Sequence, residues 1–142
     1  MRNVLLFFLF VVSTSVYAQT EPTGRWKTID EDSGEAKSII EIYATGESYS
    51  GKVAKILTGN TTALCTECDG KLKDAPILGL QIIEGLRADD EPMTWEGGTI
   101  LDPQKGSTYK LSAWYEDGDT DVLYIRGKHW TGLYRTQRWI RE

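Results

Sequence analysis

Trp95-Glu96-Gly97-Gly98-Thr99-Ile100-Leu101-Asp102-Pro103-Gln104-Lys105-Gly106-Ser107-Thr108-Tyr109 reads as a strand, a sharp turn and a second strand. Asp102 opens the turn, where its side chain caps backbone N–H groups. Pro103 follows with φ already near the required value, and Gly106 supplies the left-handed residue that closes the turn. The two flanking runs therefore pair antiparallel. Nothing in this stretch is a nucleophile, a general base or a metal cage, so it decides the fold class and leaves the chemistry open.

Working outward, turn signals recur about every ten residues, with no helix-length run of period 3.6 and no low-complexity linker, which is the spacing of an all-β chain. Gly24 to Ile29 reads as a first strand, ended by Asp30-Glu31-Asp32-Ser33-Gly34. Ala36 to Tyr43 reads as a second, ended by Thr45-Gly46-Glu47, and Tyr49 to Leu57 as a third. A long irregular piece from Thr58 to Pro76 carries both cysteines, and Ile77 to Leu86 reads as a fourth strand or a short helix. Trp95 to Leu101, Thr108 to Tyr115, Asp121 to Lys128 and Leu133 to Arg141 complete the set. About eight antiparallel strands in sequence order predict a small up-and-down barrel, the number at which a sheet closes on itself and removes its edges.

The first eighteen residues read as an address. Met1-Arg2-Asn3 is a short positive start, Val4 to Val12 is an unbroken apolar run too short to span a bilayer, and Val16-Tyr17-Ala18 fits a cleavage site. The expectation is an export signal over residues 1–18 and a single domain over 19–142, periplasmic or secreted, without stable membrane insertion once the signal is removed. Loss of Arg2 leaves 15 basic and 21 acidic side chains, a net of −6. That charge repels phosphate backbones and anionic lipid surfaces, so nucleic acid is not an expected partner. All three Phe residues, Phe7, Phe8 and Phe10, lie in the signal. The remaining aromatics are Trp and Tyr, whose apolar bodies and polar tips suit strands, barrel mouths and wet pockets.

Gly24-Arg25-Trp26-Lys27-Thr28-Ile29-Asp30, the Cys65-Thr66-Glu67-Cys68 loop, Gly79-Leu80, Trp95 to Tyr109 and the closing Gly132-Leu133-Tyr134-Arg135-Thr136-Gln137-Arg138-Trp139-Ile140-Arg141 resemble the bacterial exported family called domain of unknown function 2147. The resemblance spans nearly all of the mature chain and implies a domain extent and an exported habit, with no catalytic residue. More distantly, Gly24-x-Trp26 on a first strand with an Arg on the last is similar to lipocalin-like barrels. There the Trp lies across the barrel floor and the Arg packs on it, which makes Arg138 or Arg141 the cation–π partner, the register deciding between them.

Chemistry-bearing constellations are few. Cys65-x-x-Cys68 in an exported chain reads first as a disulfide; a redox-active pair and a zinc site completed by His129, Asp69 or Glu67 are the other readings. Asp117-Gly118-Asp119-Thr120-Asp121 resembles the start of a calcium loop, but Val122 stands where Gly is needed and Lys128 where Glu is needed, so a charged turn is the better reading. Asp30-Glu31-Asp32 is read the same way. His129 is the sole histidine, and no nucleophile motif accompanies it. Glu84, Glu96 and Asp102 make no convincing glycosidase pair, because the turn explains Asp102.

The composite expectation is a non-enzymatic binding module that needs no metal and no cofactor. Its ligand would be a small apolar or amphipathic molecule or an envelope glycan, held near Trp26, Trp95, Tyr109 and Trp139. Ala113, Gly127 and Ser112 would leave interior room and Leu111, Tyr109 and Leu123 would fill it, according to register. The alternatives are a redox or metal-dependent accessory protein acting through Cys65, Cys68 and His129, and a purely structural role in envelope assembly.

Overall fold

A computed structural model describes residues 20–142; the export signal expected over residues 1–18 lies outside them. Eight strands follow in order: β1 Gly24–Ile29, β2 Ala36–Thr45, β3 Ser48–Ile56, β4 Gln81–Ala88, β5 Thr94–Asp102, β6 Ser107–Glu116, β7 Asp119–Lys128 and β8 Tyr134–Arg141. Each pairs antiparallel with the next, and β8 returns to β1 through Trp26↔Arg141 and Thr28↔Trp139, closing the barrel. The segment read as strand or short helix is a strand, but it begins only at Gln81; Ile77 to Leu80 remain in the preceding loop.

The central hairpin forms as its residues dictate. Asp102 Oδ1 accepts from the backbone N–H of Gln104 at 3.0 Å, Gly106 N donates to the Asp102 carbonyl at 2.8 Å, and Asp102 pairs with Ser107. Gly106, at φ 66°, also allows a close approach: a Cβ there would stand 2.0 Å from the Glu67 carbonyl oxygen. The turn is thereby packed against the cysteine loop. Period-two alternation is broken at Gly97, whose φ of 77° creates a bulge between the Trp95↔Ala113 and Gly98↔Leu111 pairs. Trp95 and Gly98 are both buried as a result.

Alternation puts the apolar set inside. Trp26, Ile40, Ile42, Val53, Ile83 and Leu86 belong to one core with Leu111, Ala113, Leu123, Ile125 and Trp139. The outer wall carries polar rows such as Arg25–Glu41–Lys52 and Lys110–Lys128. Ser112 belongs to this outer face, paired with Arg126, so it leaves no interior room. A barrel that is apolar within and charged without has the reverse of the pattern that lets a strand barrel face lipid with its walls.

The two ends differ. One is shut by residues 20–23. Trp26 Nε1 donates to the Pro22 carbonyl at 3.0 Å, Tyr115 OH donates to the Glu21 carbonyl at 2.9 Å, and Arg141 Nη1 donates to the Thr23 carbonyl at 3.1 Å. Arg141 also donates to the Thr120 carbonyl and to the Tyr115 hydroxyl, with its guanidinium 4.1 Å from the Trp26 ring centre. The register thus selects Arg141 as the stacking partner; Arg138 lies on the outer wall, 6.0 Å from the Tyr124 ring. Burial pushes the Tyr115 phenol up, against the pull of the Arg141 guanidinium. At the other end the β1–β2, β3–β4, β5–β6 and β7–β8 connections leave the lumen open.

Candidate functional site

At the open end the barrel encloses a cavity of about 750 Å³. Its aliphatic lining includes Ile40, Val53, Ile82, Ile100 and Ile125 from several strands, and Ile77 from the β3–β4 loop. Gly127 gives the lumen width: it lines the cavity, and a Cβ there would lie 3.3 Å from the Tyr109 Cβ. Polar side chains line it as well, and several are paired with one another. Thr28 and Ser38 share a 2.7 Å hydrogen bond between their hydroxyls, and Trp139 Nε1 donates to Gln137 Oε1 at 3.1 Å. A largely aliphatic interior with fixed polar groups beside it is the ordinary make-up of a small-molecule site, and the volume lies within the usual range for one.

The rim is charged. Lys37 Nζ lies 2.9 Å from Asp30 Oδ2, and Arg135 Nη2 lies 2.9 Å from Glu31 Oε2. Asp30 accepts from Lys37 and from the backbone N–H groups of Ser33 and Asp32, which together hold its carboxyl well below the usual range. His129 sits at the rim with Nδ1 2.8 Å from the Thr131 hydroxyl and its ring 6.0 Å from that of Tyr109.

Of the four aromatic residues singled out in the sequence, Tyr109 and Trp139 line the cavity. Trp26 and Trp95 do not: they pack around Tyr115 at the shut end, with ring centres 6.1 and 5.3 Å from its ring. Glu84 and Glu96 stand exposed on strands, and Asp102 stays in its turn, so the three do not form a catalytic pair. The Asp117–Asp121 segment is a turn in which Asp119 Oδ1 accepts from Asp121 N at 2.9 Å. Among the described residues no three or more His, Cys, Asp or Glu side chains are arranged so that they could hold a metal ion. Sequence reading missed the aliphatic wall, because Ile40, Val53, Ile82 and Ile125 look like any core residues until the register shows that they face a space.

Cys65 and Cys68 form a disulfide with Cα atoms 5.4 Å apart, both nearly inaccessible at 0% and 2% exposure. Cys65 Sγ lies 3.2 Å from the Pro103 carbonyl oxygen, so the bond sits against the β5–β6 turn. It closes a ring within the β3–β4 loop, between cysteines three positions apart, and removes little chain entropy. Changing both cysteines to Ser should therefore cost no more than about 2 kcal/mol by urea denaturation, and thiol titration of the unfolded, unreduced protein should find no free thiol.

Comparison with known proteins gives two matches. Protein HP1028 from the human pathogen Helicobacter pylori, described as belonging to the lipocalin family, superposes with a TM-score of 0.72 at 16% sequence identity, over 86% of this chain and 83% of that one. At that identity the likeness concerns the fold. No curated protein matches the chain. The model of a bacterial family, described as uncharacterized protein conserved in bacteria, matches residues 24–141, the whole barrel from the first glycine of β1 to the stacking arginine of β8, and the chain belongs to that family, DUF2147.

Proposed function

We propose that this barrel is a non-enzymatic binding module, exported from the cell, that holds a small amphipathic molecule with its apolar tail in the lumen and its polar head at the rim. The observation that carries this reading is the aliphatic cavity of about 750 Å³, shut at one end by the Trp26–Arg141 assembly and open at the other. The apolar wall favours an apolar tail over a glycan, since Trp26 and Trp95, which a sugar would have stacked on, lie outside the cavity. At the rim, Lys105, Arg135 and His129 offer donors to an anionic or polar head. The likeness to a lipocalin-family barrel agrees with a hollow scaffold, and a disulfide agrees with an oxidising compartment.

A thermal-shift screen of fatty acids, isoprenoids, aromatic metabolites and peptidoglycan fragments tests this. A ligand at a hundred times its dissociation constant stabilises the native state by about 2.7 kcal/mol, a rise on the order of 10 °C for a domain of this size. The expected hits are amphiphiles, with quenching of Trp emission that weakens in Trp139→Phe. Hits confined to peptidoglycan fragments would contradict an apolar-tail ligand.

A further inference from the structure

The lumen differs from one side to the other. Residues paired across neighbouring strands share a face of the sheet. Thr28 is paired with Ser38 and with the inward Trp139, and Gln137 is paired with the inward Ile125, so all three polar side chains face the lumen. They line the cavity from β1, β2 and β8, which are consecutive in the closed sheet. Half-way round, Ile82 on β4 and Ile100 and Leu101 on β5 contribute only hydrocarbon. Below the rim, one side of the space is therefore polar and the facing side aliphatic.

The hydrogen bonds already made on the polar side decide what it has left to offer. An indole N–H only donates, so the bond from Trp139 Nε1 fixes the Gln137 amide with its oxygen toward the indole. The amide nitrogen is left without a hydrogen-bond partner among the described residues. The Thr28 and Ser38 hydroxyls bond to each other, and whichever donates, the other keeps its proton to give. None of the three is charged. A carboxylate or phosphate held by them would be buried beside no cation of its own, because Lys37 and Arg135 are paired with Asp30 and Glu31. The match is a neutral oxygen. Its depth follows from the register: Gln137 is the next inward position below Arg135 on β8, about 7 Å along the strand.

We propose that Gln137, Thr28 and Ser38 form a second recognition point inside the lumen, and that the ligand carries a neutral oxygen, carbonyl or hydroxyl, on one side of its apolar part, about 7 Å inside the polar head. This inference rests on the binding function proposed above and narrows its ligand from any amphiphile to an oxygenated one. A plain hydrocarbon tail that displaced water from this side would leave the amide N–H and the free hydroxyl proton without partners, which costs affinity.

Two isomeric keto acids test the assignment: hexadecanoic acid bearing a ketone at its seventh carbon, and the same acid bearing it at its fifteenth. Both have the same head, length and composition, and competition against a fluorescent fatty acid above neutral pH measures their affinities. The wild-type protein binds the seventh-carbon ketone roughly tenfold more tightly, the size of one net hydrogen bond. Gln137→Glu still accepts from Trp139 Nε1 but has no N–H to give a ketone, so the ratio falls to about one. The added charge bears on both acids alike. Thr28→Val/Ser38→Ala removes only the hydroxyl pair and lowers the ratio as well, which keeps a readout should Gln137→Glu fail to fold. Equal affinities in the wild type, or a preference unchanged in the variants, would overturn the inference. Binding of plain hexadecanoic acid without any preference between the ketones overturns only this second recognition point. If none of the three acids is bound, the binding function itself fails and the inference falls with it.

Discussion

Trp26→Ala is expected to destabilise the barrel by about 3–5 kcal/mol, the range for removing a fully buried large aromatic side chain. That corresponds to a fall in melting temperature on the order of 10–20 °C. Three losses coincide at this residue. The indole is fully buried, its Nε1 satisfies the Pro22 carbonyl, and its ring is the platform for the Arg141 guanidinium. Arg141→Lys isolates the last of these, because an ammonium cannot supply the planar fork that reaches the Thr120 carbonyl, the Thr23 carbonyl and the Tyr115 hydroxyl together. Its cost should be smaller than that of Trp26→Ala but clear in urea denaturation. Since neither residue lines the cavity, the ligand affinity of whatever fraction stays folded should be unchanged. Equal stability of Trp26→Ala and wild type would refute this account of the shut end.

The second large effect is on binding. Val53 on β3 and Ile125 on β7 are inward-facing and line the cavity from strands on opposite sides of the barrel. Val53→Phe/Ile125→Phe should put two rings into the lumen and lower affinity for an apolar ligand by at least about 100-fold, which is about 2.7 kcal/mol. Because the added atoms enter existing space, the strain of overpacking should be modest; the melting temperature of the unliganded variant should stay within a few degrees of wild type. Ligand titration by intrinsic fluorescence reads the effect, and each single variant checks that neither change alone unfolds the barrel. Full affinity in the double variant would place the ligand elsewhere.

How far the sequence reached follows from which features are local. The hairpin at Asp102–Gly106 was legible because each turn residue acts on its own backbone, and the strand count followed from similar signals along the chain. Strand ends shifted by a residue or two, and β4 began later because Ile77 to Leu80 are as apolar as a strand yet are held in the loop by bonds such as Gly79 N to the Val53 carbonyl. The choice between Arg138 and Arg141 needed the β1–β8 register, which no local signal encodes. The candidate site was half legible. Tyr109 and Trp139 line the cavity, whereas Trp26, singled out by the Gly24-x-Trp26 start, and Trp95 pack around Tyr115 at the shut end. The bulge at Gly97 reverses the facing of β5, and hollowness itself depends on side chains meeting across the lumen from strands far apart in sequence.

The central claim is that the lumen holds the apolar tail of a small amphiphile, and the most direct test is to ask what the protein carries. Protein purified from the bacterium that makes it, denatured and extracted with organic solvent, should release about one equivalent of a compound with an apolar tail, identified by mass spectrometry. Returned to the refolded wild-type protein, that compound should rebind, and it should fail to rebind to Val53→Phe/Ile125→Phe. Extracts free of any amphiphile, together with a wild-type protein that takes up nothing from a total lipid extract of the same bacterium, would contradict the claim.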